Sequence, residues 1–125
     1  MADTNTTNRR VLVVEDEMAI AMMIEDMLED AGFEVAGTAS RPSDALSALE
    51  RDNRIDAAIV DVNLGGSDST EVAAALSARG VPFLFSTGYG RSGLPEGLAE
   101  HPVLQKPFRQ EDLVRALHSI LEGTG

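Results

Sequence analysis

No cysteine occurs in the chain, which excludes disulfide bridges, thiolate zinc sites and a cysteine nucleophile. No stretch approaches the roughly 20 consecutive apolar residues that cross a bilayer. The opening residues, Met1 to Arg10, are polar and hold no hydrophobic signal region. The chain is therefore expected to be cytoplasmic, with no membrane contact. Basic residues are scarce, 10 Lys and Arg against 21 Asp and Glu, giving a net charge of −11. They are also scattered, which argues against nucleic acid as a direct partner, because a phosphate backbone is bound by clustered basic groups. Lys106 is the only lysine. What is present is a chain of 125 residues, 43% hydrophobic, enough for one globular domain with its own core and too short for two.

Within it, short apolar runs alternate with helical patterns. Val11-Leu12-Val13-Val14 reads as a strand buried on both faces, ending in Glu15-Asp16-Glu17. From Met18 to Ala31, apolar residues at Ile20, Met23, Ile24, Met27, Leu28 and Ala31 predict an amphipathic helix stopped by Gly32. Met23 and Met27 fall in its core stripe, and Met18 and Met22 beside it, toward solvent. Phe33 to Ala39 is a second strand; Ser40 caps a helix that starts near Pro42 and buries Ala45, Leu46 and Leu49. Ile55 to Val60 is the third strand. Asp68 or Ser69 caps the next helix, with Glu71 completing a capping box and Gly80 closing it.

Pro82 to Ser86 is the fourth strand, with proline at its tolerated first position. Glycines 88, 90, 93 and 97 and Pro95 then crowd the segment to Glu100. Each glycine costs a helix about 1 kcal/mol, which predicts a short, weak or mobile fourth helix. Val103 to Gln105 is the fifth strand, and Leu113, Ala116, Leu117, Ile120 and Leu121 mark a C-terminal helix. His101 and His118 are expected on the surface. The alternation predicts an α/β fold with a doubly wound, five-stranded parallel sheet.

Polar residues gather at the strand ends: Glu15 and Asp16 after the first, Asp61 after the third, Thr87 after the fourth, Lys106 after the fifth. With the strand order 2-1-3-4-5, one of two common doubly wound orders, these ends are neighbours at the carboxyl edge, where ligands bind in such sheets. Carboxylates crowded together repel, and a hard divalent cation relieves them through oxygen ligands, Mg²⁺ being the available one. Asp61 can then be a nucleophile toward phosphorus, Lys106 a point charge on a phosphoryl oxygen, and Thr87 a hydrogen-bond donor to another.

In this order, Glu15-Asp16, Asp61, Thr87 and Lys106-Pro107 resemble the receiver domains of two-component response regulators, over about residues 9 to 122. The resemblance implies the flavodoxin-like order 2-1-3-4-5; the polar residues 1–8 are expected to form a flexible tail, and 123–125 a flexible end. The resemblance also implies that Asp61 accepts a phosphoryl group from a histidine kinase's phosphohistidine in a Mg²⁺-dependent reaction. Glu15, Asp16, Asp61 and the backbone carbonyl of Asn63 would hold the ion, and the Lys106-Pro107 peptide bond would be cis. Asn63 and Tyr89 would flank the water path and tune phosphate lifetime. Such a chain is a phosphoacceptor that assists its own phosphorylation and dephosphorylation rather than an enzyme. It signals through protein contacts or acts as a phosphate sink. On this reading, Met18 and Met22 could contact a kinase helix.

Pro82-Phe83-Leu84-Phe85-Ser86-Thr87-Gly88-Tyr89 is similar to the FATGUY subgroup of receivers, usually stand-alone and often paired with HWE-type histidine kinases. Ser86 replaces that motif's alanine, and Val103 stands where receivers commonly carry an aromatic switch residue. The switch is accordingly expected to involve Thr87 and Tyr89. Two other functions fit less well. A haloacid-dehalogenase-like phosphatase also uses a strand-tip aspartate with Mg²⁺, but requires an acid where Asn63 stands. A pseudo-receiver serving only as an interaction module would lack pocket residues that are present here.

Overall fold

The computed structural model describes residues 9–52, 54–64, 67–88 and 102–123. Its elements run β1 (Arg10–Val14), α1 (Met18–Asp30), β2 (Glu34–Ala39), α2 (Pro42–Arg51), β3 (Ala57–Asp61), β4 (Asn63–Leu64), β5 (Ser67–Asp68), α3 (Thr70–Ala78), β6 (Phe83–Thr87), β7 (Val103–Gln105) and α4 (Gln110–Gly123). Five strands form one parallel sheet in the order β2-β1-β3-β6-β7. This is the expected 2-1-3-4-5 order. The small antiparallel pair β4-β5, with Asn63 opposite Asp68, is an addition the strand pattern does not announce. The predicted fourth helix and the tail at 1–8 lie outside the described residues, as do 124–125.

Both faces of the sheet are covered, so alternate residues of each strand enter two separate cores. Val11, Val13, Ile59 and Leu84 pack with Ile24 and Leu28 of α1 and with Leu113, Leu117 and Ile120 of α4. Leu12, Val14, Val60 and Phe85 pack with Ala45 and Leu49 of α2 and with Val72 and Leu76 of α3. β3 is buried throughout. β2, at the edge, is mostly half-exposed and shifts register between Val11 and Leu12, a bulge that blunts the free edge.

Two helices feed strands through the same device. After α1, Gly32 (φ 96°) donates to Glu29 O, and Phe33 to Leu28 O at 2.9 Å. After α3, Gly80 (φ 71°) donates to Ser77 O, and Val81 to Leu76 O at 2.9 Å. Both are Schellman turns, whose left-handed residue is almost free of strain only in glycine.

At the amino-terminal edge, Arg10 ties the layers together. Its guanidinium pairs with Glu34 and Asp52 and donates to Arg54 O, while its backbone N–H donates to Asp56 at 2.8 Å. The backbone N–H of Arg54 and the Arg10 guanidinium hold the Asp52 carboxyl below its ordinary range, and Asp52 first among its partners raises Arg10.

Four local expectations are corrected. Pro42 occupies the first turn of α2, and a residue preceding proline is driven to extended backbone, so Arg41 (φ −139°, ψ 157°) rather than Ser40 is the N-cap. The backbone of Asp68 belongs to β5, and Ser69 is the N-cap of α3 without a capping hydrogen bond. Met23 is exposed, because Ala21, Ile24 and Leu28 already fill the inner face of α1 and its long side chain leans off the stripe. His118 is not a surface residue throughout: its ring lies 6.1 Å from that of Phe33, and its Nε2 is buried.

Candidate functional site

Strand pairing sets the site. The ladder continues to the last residue of each tip: Glu15 N–H donates to Ala39 O, Val62 N–H to Ser86 O, and Lys106 N–H to Thr87 O, at 2.8 to 3.1 Å. Asp61 is the final residue of β3 and Thr87 of β6, while Glu15 and Lys106 directly follow β1 and β7. A polar side chain on each is thereby held at one carboxyl edge by backbone hydrogen bonds.

Glu15, Asp61 and Thr87 are buried and Asp16 is exposed. Glu15, Asp16 and Asp61 each offer a carboxylate oxygen, and these lie within 4.8 Å of one another. Lys106 reaches across the row: its Nζ is 2.9 Å from Glu15 Oε1 and 3.4 Å from Asp61 Oδ1. The two contacts hold the ammonium between a buried glutamate and Asp61. Burial works to lower the basicity of Lys106, and Glu15 and Asp61 more than offset it, holding the ammonium above its ordinary value of 10.5. Lys106 therefore stays charged at any physiological pH.

This donor set fits a hard divalent cation. Three carboxylate oxygens gathered within 4.8 Å are the hard donor type that Mg²⁺ prefers. The arrangement offers a buried carboxylate beside a fixed ammonium, with the buried Thr87 at the end of the neighbouring strand. The Lys106-Pro107 bond is cis, as the resemblance implied.

Not every candidate enters this geometry. Asn63 opens the β4-β5 pair two residues beyond Asp61, and Tyr89 lies outside the described residues. Ser86, which enters the sequence reading only as a motif letter, is the ladder partner of Asp61, fully buried, with a hydroxyl that has no hydrogen-bond partner among the described residues. The signal was in reach: one residue before Thr87, it shares the face of Asp61 once the strands are paired.

The chain matches the family model of the response regulator receiver domain over residues 11–118. It is 36% identical, over 131 aligned positions, to the transcriptional regulatory protein PrrA of Mycobacterium tuberculosis, covering 98% of this chain and 54% of PrrA. The chain spans about half the length of the curated relatives it matches. Among solved structures, SdrG from Sphingomonas melonis Fr1 superposes with a TM-score of 0.81 at 44% identity, covering 94% of this chain and 99% of SdrG. The PhyR receiver domain of Erythrobacter litoralis gives 0.82 at 28% identity, covering 95% and 94%.

Proposed function

The chain belongs to the response regulator receiver family, and from that premise we propose that Asp61 accepts a phosphoryl group from the phosphohistidine of a histidine kinase. The observation that carries this reading is the convergence of Asp61, Glu15, Asp16 and Lys106 at one sheet edge, with Lys106 Nζ 2.9 and 3.4 Å from two of the carboxylates.

An Asp61 carboxylate oxygen attacks phosphorus as the bond from phosphorus to the imidazole nitrogen breaks; with the other ring nitrogen protonated, the imidazole leaves neutral on the kinase. Lys106 then shifts its ammonium toward a phosphoryl oxygen, and the Thr87 hydroxyl donates to another. Glu15, Asp16, Asp61 and the Asn63 carbonyl would hold Mg²⁺, which when bound neutralises charge on the transferring group. Burial of Asp61 excludes bulk water from the attacking oxygen. Asn63 and Tyr89, two residues beyond Asp61 and Thr87, tune the rate at which water removes the phosphoryl group. Thr87 and Tyr89 carry the switch, since Val103 has no ring to swing. The donor class is a histidine kinase, HWE-type by the FATGUY likeness, and output goes through protein contacts or phosphate draining.

The test is intact mass after incubation with Mg²⁺ and phosphoramidate or an autophosphorylated kinase. One added phosphoryl group, dependent on Mg²⁺ and absent in Asp61→Asn, is expected. No addition to folded protein from either donor would refute the reading.

A further inference from the structure

Among the described residues, every large apolar side chain left exposed is a methionine on α1: Met18 at 76%, Met22 at 56% and Met23 at 38%. Every leucine, isoleucine and phenylalanine whose side chain is described is at least half-buried. The three thioethers form one patch. Met18 and Met22 line a groove that begins at Glu15 and Asp16, and Met22 and Met23 line a second one toward Gln110 of α4. The opposite face of α1 is anchored by Ala21, Ile24 and Leu28, so chemistry at the patch leaves the core intact.

Methionine sulfur is the site a two-electron oxidant attacks when no thiol is present, and this chain has no cysteine. We infer that Met18, Met22 and Met23 form an oxidation-sensitive modification site whose conversion to sulfoxide slows phosphoryl transfer from a kinase. With hydrogen peroxide, the thioether sulfur displaces hydroxide at one peroxide oxygen. The O–O bond breaks, the S–O bond forms, and proton transfer yields sulfoxide and one water; sulfur loses two electrons and peroxide gains them. An apolar, flexible surface thereby becomes polar.

The inference rests on the phosphoacceptor reading, because a phosphohistidine that reaches Asp61 must arrive on a protein surface covering what borders the pocket, and Met18 is two residues from Asp16. A small phosphodonor needs no such surface. The oxidation therefore separates two donors that use the same aspartate.

The experiment treats the full chain with hydrogen peroxide and maps sulfoxides by peptide mass. It then times Mg²⁺-dependent phosphorylation by phosphoramidate and by the fastest-transferring of the source cell's autophosphorylated histidine kinases. Oxidation is expected in the order Met18, Met22, Met23, with half-buried Met27 slower. Kinase transfer is expected to fall about tenfold, the effect of losing the burial of one or two apolar side chains at an interface. Phosphoramidate should act at its former rate, and methionine sulfoxide reductase should restore the loss. A variant carrying Met18→Leu, Met22→Leu and Met23→Leu should show the same kinase rate before and after peroxide. Unchanged kinase transfer in oxidised wild type overturns the inference, as does an equal loss with both donors, which would place the damage in the pocket. If untreated protein accepts phosphate from neither donor, the phosphoacceptor reading itself has failed and the modification site falls with it.

Discussion

Ser86 carries a buried hydroxyl with no hydrogen-bond partner among the described residues, beside Asp61 on the ladder. Leaving such a group unpaired costs about 1–3 kcal/mol, and removing it recovers part of that while leaving only a small void. Ser86→Ala is expected to raise the unfolding free energy by about 1 kcal/mol in urea melts, with Asp61 still phosphorylated. A lower stability would show that the hydroxyl is hydrogen-bonded in solution. Asp52 gives the other residue-scale expectation. Its carboxyl is held below 3.8 by the Arg54 N–H and the Arg10 guanidinium. A depressed carboxyl contributes stability that is present above its unfolded value and lost as pH falls through the folded one. The urea midpoint of Asp52→Asn should thus lie below wild type near neutrality, and the gap should close as pH drops below 3.8. A gap that persists at pH about 2 would rule out this linkage.

At the scale of elements, the two Schellman turns predict a backbone effect free of packing. A methyl added to Gly80 meets nothing within 4 Å, but φ is +71° there. Gly80→Ala should therefore cost about 1 kcal/mol in chemical denaturation. Gly37→Ala, whose methyl would meet only Leu12 at 3.9 Å and whose φ is ordinary, should cost less. If the two are equal, the turn geometry is not the cause. The turns also show what a sequence makes legible. Gly32 and Gly80 ended helices on the page as they do in space, because a left-handed residue has one cheap solution. Val103 to Gln105 was found residue for residue. The start of β3 was placed at Ile55, two residues early, because Ile55 is buried without being in the strand. Burial and strand pairing are different facts, and hydrophobicity reports only the first. The caps failed for the same kind of reason: Ser40 and Asp68 have the right side chains, but Pro42 and the β4-β5 pair take the backbone elsewhere.

For the whole molecule, the pocket is the largest departure from a neutral balance of forces. Three carboxylates face a single lysine at one sheet edge, in a chain of net charge −11. A ligand that binds only the folded state stabilises it by about 2.7 kcal/mol at a hundredfold excess over its Kd. Mg²⁺ is therefore expected to raise the melting temperature, and chelation to lower it, with a smaller response in Asp61→Asn. Equal shifts in both proteins would mean that the ion acts on general surface charge. The members of the pocket were readable from strand tips alone, since each stands at or just beyond the end of a mostly apolar run. Their mutual distances, and the reach of Lys106 to both Glu15 and Asp61, were not, because these depend on how far each strand extends past its neighbour.

The Arg10 cluster has a consequence for how such a molecule can diverge. It fastens β1, β2, the end of α2 and the approach to β3 at the amino edge of the sheet, while all the chemistry lies at the other edge. The loops around Asp61 can then be lengthened, shortened or recomposed without disturbing the register that aims the strand tips. Inheritance can keep the anchor and rewrite the pocket's surroundings, so descendants of one scaffold would differ in the loops around the strand tips while the Asp61 carboxylate stays where the far edge put it.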